Sequence, residues 1–339
     1  MTILQKAIHL VHSPTLSIVV PNYNHARYLE GALVAHLNQS ALPLEIIVVD
    51  DASTDESRTI VERLAARHPT VRLVSLPVNG GVNAAINRGL AEAKGEYVCF
   101  SAADDLVEPE FAAHSLAILA HHPATGFCFS DPAVLSAKSG GARRFPLFLS
   151  DRPCLLSPCD FERLLTSNYF SFSSNSILYR REALIEIGGF IEDLCWYADG
   201  FANYVLAFRH GACYVPEVLT LYRVSEDSYS ACGARQVLVQ RNILYRVLDL
   251  LEESRFRDVA GYFRRAAIVP EMRGRSLFWL LAHPRHRGHL TLRLCARLLF
   301  GELWLHVLPC TPDRLRRAMR WLAGMPTRWQ LAASKRNSR

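Results

Sequence analysis

Two pairs of adjacent carboxylates, Asp50-Asp51 and Asp104-Asp105, each follow a short apolar run. A carboxylate at the end of a strand can accept hydrogen bonds from a ribose hydroxyl or from a ring N–H. The bland alternative for the first pair is a solvated turn. Adjacent carboxylates repel, so the second pair needs a compensating cation. Mg²⁺ or Mn²⁺ suits one or two carboxylates together with phosphate oxygens and water. The alternative there is a turn pair capping the next helix. Asn79-Gly80-Gly81, followed by Asn83 and Asn87, lets backbone approach a ligand closely, and serves equally as an ordinary loop. It is not a G-x-G-x-x-G fingerprint. Asp199 lies in Trp196-Tyr197-Ala198-Asp199-Gly200, after Gly188-Gly189-Phe190. Aromatic surroundings raise a carboxyl pKa and suit a general base, whereas a helix N-terminus would favour the same residue as a plain anion.

These residues need a scaffold, and the apolar pattern supplies one. Leu16-Ser17-Ile18-Val19-Val20 reads as a buried strand. A helix follows from Tyr28 to about Gln39, and Glu45 to Val49 forms a second strand running into the first carboxylate pair. Ser53 is expected to cap a helix reaching about Arg67, with Glu56 completing a capping box. Val71–Leu76 is a third strand, Ala84–Ala93 a helix, and Tyr97–Phe100 a fourth strand. Strands alternating with helices indicate a mostly parallel sheet with helices on both faces, and such sheets bind ligands at the carboxyl ends of their strands. From Phe127 to about Arg223 the pattern is mixed, with strands at Ser176–Tyr179 and Ala212–Val215, helices at Cys159–Thr166 and Asp199–His210, and a long loop from Ser136 to Pro158. A periodic helix runs from Gln236 to Leu251.

Half the residues are hydrophobic and about a fifth are charged, which excludes a disordered or collagen-like chain. The net charge of +6 divides unevenly. Residues 1–240 are acidic and residues 241–339 strongly basic, and only four of the 38 cations are lysines. Nine cysteines without a CxxC pair read as free thiols. No charged-then-apolar leader and no stretch of about 20 apolar residues is present, so the expected location is cytoplasmic. The arginine-rich region, with Arg293, Arg297, Arg314, Arg316, Arg317 and Arg320 among Leu, Phe and Trp, suits peripheral contact with an anionic membrane at its inner face, or a solvated helical appendage. No nucleic-acid module is recognisable. His283, His286 and His289 stand without a neighbouring cysteine or carboxylate in sequence and read as loop residues.

Taken in order, Pro21-Asn22-Tyr23-Asn24, Asp50-Asp51 with Ser53 and Asp55, Asn79-Gly80-Gly81…Asn87, Gly95-Glu96-Tyr97…Asp104-Asp105 and Gly188-Gly189-Phe190…Asp199…Arg209…Tyr222-Arg223 resemble the glycosyltransferase family 2 enzymes of the GT-A fold. The resemblance covers roughly residues 14–225. It implies a nucleotide-binding half at 14–125 and an acceptor half at 126–232 of a domain spanning 14–232. A stretch at 1–13 would precede that domain, and a helical, arginine-rich region at 233–339 would follow it. It further implies inverting transfer of a sugar from a nucleotide-diphosphate donor, expected to be a UDP-sugar, to an acceptor hydroxyl of a surface polysaccharide or lipid-linked glycan. By position, Pro21, Tyr23 and Asp51 would hold the base and ribose, and Asn24, Asn79, Gly80, Asn87 and Asp104 would complete the nucleotide site. Asp104 and Asp105 would hold Mg²⁺ or Mn²⁺, and Asp199 would be the base. Two positions depart from the pattern: Ala102 replaces the usual first metal-motif Asp, and Ala198 a Glu before the base. Both substitutions favour the alternative of a non-catalytic sugar-nucleotide binder. A nucleotidylyltransferase is disfavoured, since Pro21-Asn22-Tyr23-Asn24-His25 lacks a glycine- and base-rich triphosphate loop.

Overall fold

The structure, a computed structural model, describes residues 13–135, 142–167, 172–223, 229–270 and 274–307. These form two compact units. The first takes residues up to Leu156, Ser173–Phe190 and His210 to the end of the described stretch at Arg223. The second takes Ser157–Phe172, Ile191–Arg209 and the described residues from 229 onward. The second unit therefore draws segments 157–172 and 191–209 from ahead of residue 232.

The first unit is built on one mixed sheet. Its parallel portion runs in the order β3 (Val71–Ser75), β2 (Glu45–Asp50), β1 (Leu16–Asn22), β4 (Tyr97–Phe100). β1, β2 and β4 are almost wholly buried, because both faces of a parallel sheet are covered and β-branched runs such as Ile46-Ile47-Val48-Val49 fill both. Helices α1 (Ala26–Leu37), α2 (Ser57–Ala65) and α3 (Val82–Glu92) are the crossovers. The short β5 (Leu106–Val107) and helix α4 (Phe111–His121) follow. Then come β6 (Phe127–Leu135), β7 (Ala142–Arg144), β8 (Cys154–Leu156), β9 (Ile177–Arg180) and β10 (Ala212–Arg223). β9 pairs antiparallel with both β4 and β6, whereas β6 and β10 are parallel to each other.

Several local expectations are corrected. The capping box does not form: α2 starts at Ser57, with no side-chain cap from Glu56, because the Ser53 hydroxyl instead accepts from Asn24 N at 2.9 Å and Asn22 Nδ2 at 3.1 Å. β10 continues past Val215 to Arg223 through a register shift, as its second half pairs with β6 and β5. The expected loop at 136–158 contains β7 and β8, while residues 136–141 lie outside the described residues. All eight described cysteines are free thiols.

The second unit is helical, with α5 (Pro158–Ser167), α7 (Ala198–His210, all but its last residue), α8 (Tyr229–Arg235), α9 (Val237–Glu252), α10 (Arg257–Arg265), α11 (Gly274–Ala282) and α12 (Leu292–Val307); α6 (Arg181–Glu186) belongs to the first unit. Aromatic packing organises it. Phe201 meets Phe256 edge-on at 5.1 Å, and Phe208 stacks on Tyr262 at 4.8 Å. A second cluster joins Leu244, Leu248, Leu280, Leu294 and Leu298. Arg209 grips Asp258 with two nitrogens at 2.8 and 2.9 Å. Of the arginines expected on a membrane-facing helix, Arg293 donates to Thr166 O and Arg297 to Ala266 O, while those beyond 307 lie outside the described residues. Among the described residues no helix is long and apolar enough to cross a membrane.

One core residue makes the first unit acid-sensitive. His36 on α1 is 1% exposed with Nδ1 unbonded, and burial lowers its pKa to about 4. The unfolded chain takes up a proton near pH 6.5 and the native state does not, so stability is complete above that pH and falls as pH drops toward 4. Between pH 7 and pH 5 the protein should lose about 2 kcal/mol more stability than its His36→Leu variant in urea unfolding.

Candidate functional site

Parallel pairing aligns the carboxyl ends of β1, β2 and β4 at one edge of the first unit. Asn22 and Asp50 are register partners, and the Asn22 amide donates to Asp50 Oδ1 at 3.0 Å. Asp50 Oδ2 accepts from Ser53 N at 3.1 Å and pairs with Arg58 Nε at 2.7 Å. Burial pushes this carboxyl up, but the bonds from Ser53, Arg58 and Asn22 outweigh it and hold the group below its usual range.

Asp51 faces differently. Its backbone N–H donates to Asn22 O, and its carboxylate, 2% exposed, accepts from Gly80 N and Gly81 N, both at 2.8 Å. This pair of bonds ties the β2 end to the loop entering α3. Gly81 has φ 88°, a conformation that favours glycine, and a Cβ on Gly80 would crowd Ala84 Cβ at 3.1 Å. Ala52 holds φ 61°, a left-handed conformation that costs a residue with a Cβ about 1 kcal/mol. A ladder of further bonds fixes the adjoining loop. Asn24 Oδ1 accepts from Thr54 N at 2.8 Å, and Asp55 Oδ2 accepts from Ala26 N at 2.9 Å. Pro21 is half-buried at the head of this ledge, and the ring of Tyr23 is 44% exposed beside it. Such a ledge offers a flat aromatic face and carboxylate lone pairs to a planar polar ring.

The end of β4 carries the second pair. Asp105 is 7% exposed; its Oδ1 accepts from Arg223 N at 3.0 Å and its Oδ2 from Asn175 Nδ2 at 3.2 Å. Burial, reinforced by the neighbouring Asp104 charge, raises its pKa to about 7. Arg223 turns its guanidinium to Asp104 O at 2.9 Å and lies 5.0 Å over the Tyr28 ring, so it spends itself on a backbone carbonyl and an aromatic face. Among the described residues no cationic side chain forms an ion pair with either carboxylate. Two adjacent carboxylates without an ion-pair partner, Asp105 eased by the nearby Arg223 charge yet still raised by burial, are a donor set that fits Mg²⁺ or Mn²⁺. Ala102 contributes no ligand.

The remaining expected residues separate into roles. Asn79 Oδ1 accepts from Gly81 N at 3.1 Å, shaping its own loop. Asn87 clasps Phe190 with both ends of its amide, Nδ2 to Phe190 O at 2.8 Å and Oδ1 from Phe190 N at 2.9 Å, so it positions the Gly188-Gly189-Phe190 turn. Gly189 has φ 70°, and a Cβ there would lie 2.6 Å from Asn87 Oδ1. Asp199 belongs to the second unit, in the first turn of α7, where its Oδ1 accepts from Gly200 N at 2.6 Å. It follows a kink at Cys195 (φ 49°), and Trp196 lies so close to Gly233 that a Cβ there would be 2.4 Å from Cδ1. The sequence pointed to neither Arg58 nor Asn175, since each reaches its carboxylate from a distance that no motif spans; Arg223 stood in a motif without a role.

A mixed sheet with a parallel β3-β2-β1-β4 portion, flanked by helices, places the chain in the GT-A class of fold. Residues 17–188 match the family described as Glycosyl transferase family 2, and the chain belongs to that family and is a glycosyltransferase. An uncharacterized glycosyltransferase of Nostoc sp. is 31% identical over 224 residues, covering 65% of this chain and 68% of the relative. The fold is similar to that of S. aureus TarS (residues 1–349) crystallised with UDP-GlcNAc, at TM-score 0.62 and 20% identity over 87% of each chain. It is also similar to the mannosyltransferase PcManGT of Pyrobaculum calidifontis in complex with GDP-Man and Mn²⁺, at TM-score 0.53 and 22% identity, covering 96% of this chain and 87% of that one.

The Asp51 carboxylate meets two N–H donors, so an amide in its place opposes one donor with another. Asp51→Asn should cost about 1–3 kcal/mol in urea unfolding and speed proteolytic nicking within 77–82; unchanged stability and nicking would show that the loop does not depend on this carboxylate.

Proposed function

We propose that the protein transfers a sugar, with inversion, from a nucleoside-diphosphate donor to an acceptor hydroxyl, the donor being a UDP-sugar. The observation that carries the reading is the pairing of a hydrogen-bonded ledge at Asp50-Asp51 with a carboxylate pair at Asp104-Asp105 that has no ion-pair partner, on the same sheet edge. The ledge would take the base and ribose through Pro21, Tyr23, Asn24 and Asp51, with Asn79, Gly80 and Asn87 holding its walls. Asp104 and Asp105 would hold Mg²⁺ or Mn²⁺, which when bound offsets charge gathering on the departing diphosphate. The neighbours' UDP-GlcNAc and GDP-Man with Mn²⁺ support a nucleotide-sugar donor and a divalent ion.

Asp199 is assigned the base on its place in the family pattern. Its carboxylate takes the acceptor proton as that oxygen attacks the anomeric carbon on the face opposite the diphosphate. The anomeric C–O bond breaks with its electron pair leaving on the diphosphate, and the anomeric configuration inverts. Protonated Asp199 then returns its proton to solvent, so no covalent intermediate forms. The acceptor class proposed is a growing polysaccharide or lipid-linked glycan, reached through the basic C-terminal region at an anionic cytoplasmic membrane face. The charge excess after residue 240 supports that contact.

Incubation with UDP-, dTDP- and GDP-sugars should give donor turnover with one UDP-sugar and an inverted product by NMR. Absence of binding and hydrolysis across the panel would sink the reading. Asp199→Asn should lower kcat at least about a hundredfold with donor affinity kept. Chelation by EDTA should remove at least about 99% of activity, with Mn²⁺ restoring it.

A further inference from the structure

One cluster in the second unit has the composition of a metal centre and no part in sugar transfer. Asp249 and Glu252 stand three residues apart at the end of α9. Opposite them the 3₁₀ turn Pro284–His289 presents His286 and His289, also three apart, and i and i+3 side chains eclipse in a 3₁₀ helix. His289 Nε2 lies 3.3 Å from Glu252 Oε1, and His286 Nε2 lies 3.7 Å from Asp249 Oδ1. Two ligands about 2.1 Å from one tetrahedral ion stand roughly 3.4 Å apart, which is the scale of the Glu252–His289 separation. One donor atom from each of Glu252, His286 and His289 lies within 4.8 Å of the other two, so closing on an ion takes side-chain movement of about 1 Å.

The second observation is an unmet requirement. The His286 side chain is 2% exposed, its Nδ1 has no hydrogen-bond partner, and its Nε2 is beyond hydrogen-bond range of Asp249. Asp249 Oδ1 is likewise buried without a hydrogen bond. Arg285 pairs with Glu252 Oε2 at 2.8 Å and approaches Asp249 Oδ1 at 3.4 Å, which leaves Glu252 Oε1 turned to the histidines. A buried imidazole without bonds is costly, and a bound cation removes that cost.

We propose that Glu252, His286 and His289 bind a borderline divalent transition ion, Zn²⁺ by preference, with a water completing the tetrahedron and Asp249 beside His286. Two imidazoles favour Zn²⁺ over Mg²⁺, which takes oxygen ligands. The ion clasps the end of α9 to the turn that leads into α12. In doing so it fixes one wall of a cavity of about 340 Å³ whose lining includes Leu248, Ile268, Leu294 and Arg264.

The test uses the full chain, freed of any purification tag and stripped with chelator, titrated with Zn²⁺ and separately with Co²⁺. Expected are one equivalent of Zn²⁺ lost in both Glu252→Gln and His289→Gln, a Kd of about 1 μM or tighter for it in the parent, and the intense visible absorption of tetrahedral Co²⁺. Each variant should weaken Zn²⁺ at least about tenfold, whereas Asp105→Asn, at the carboxylate pair of the transfer site, should leave this equivalent in place. Both substituted side chains reach solvent, and circular dichroism checks that the variants are folded. No stoichiometric uptake by the parent at about 10 μM Zn²⁺, a weak octahedral Co²⁺ spectrum, or parental affinity in both variants would overturn the proposal.

Discussion

Negative charge buried at the ends of parallel strands is the constraint around which the first unit is arranged. The sequence writes it twice, as Asp-Asp after β2 and Asp-Asp at β4, and the structure resolves it in opposite ways. At β2 the chain supplies everything: Asp50 has a guanidinium, an amide and a backbone N–H, and Asp51 has two backbone N–H groups. At β4 Asp105 receives one backbone N–H and one amide but no ion pair, and its pKa rises to about 7 where that of Asp50 falls. The same dipeptide is thus held down by the chain's own donors in one place and left as an electrostatic demand in the other. Environment, rather than residue type, decides which.

The second unit answers a different problem with different means. It has no sheet to cover, so its helices are held by aromatic rings and by arginines directed at carboxylates and backbone carbonyls. Arg209 on Asp258, Arg265 on Glu162 and Arg285 on Glu252 are pairs formed within the unit. The net basic excess of residues 241–339 survives these pairs, since Glu252 and Asp258 are already subtracted in it.

How much of this was legible in sequence follows from the range of each interaction. β1, β2, β3 and β4 were readable because a both-faces-buried strand leaves a continuous apolar run, and their boundaries fell within a residue or two. The family followed from motifs that lie within a few residues of themselves. Ser53 was misread because its neighbour Glu56 satisfied a local rule, while the actual partners, Asn22 and Asn24, sit some thirty residues away. His286 and His289 have no carboxylate near them in sequence; Glu252 reaches His289 across 37 positions, a proximity that only folding creates.

β9 carries a consequence for how the molecule comes into being. Residues 14–125 carry all four parallel strands β1 to β4, yet the outer side of β4, with Tyr97, Val98, Cys99 and Phe100 all buried, is closed by Ile177–Arg180. During synthesis the parallel strands wait with an apolar edge open until some eighty further residues have emerged. A chain cut at 125 would keep that edge permanently, and open edges recruit other chains. Residues 14–125 are therefore a half in sequence only: their open strand edge is sealed when the later strand arrives.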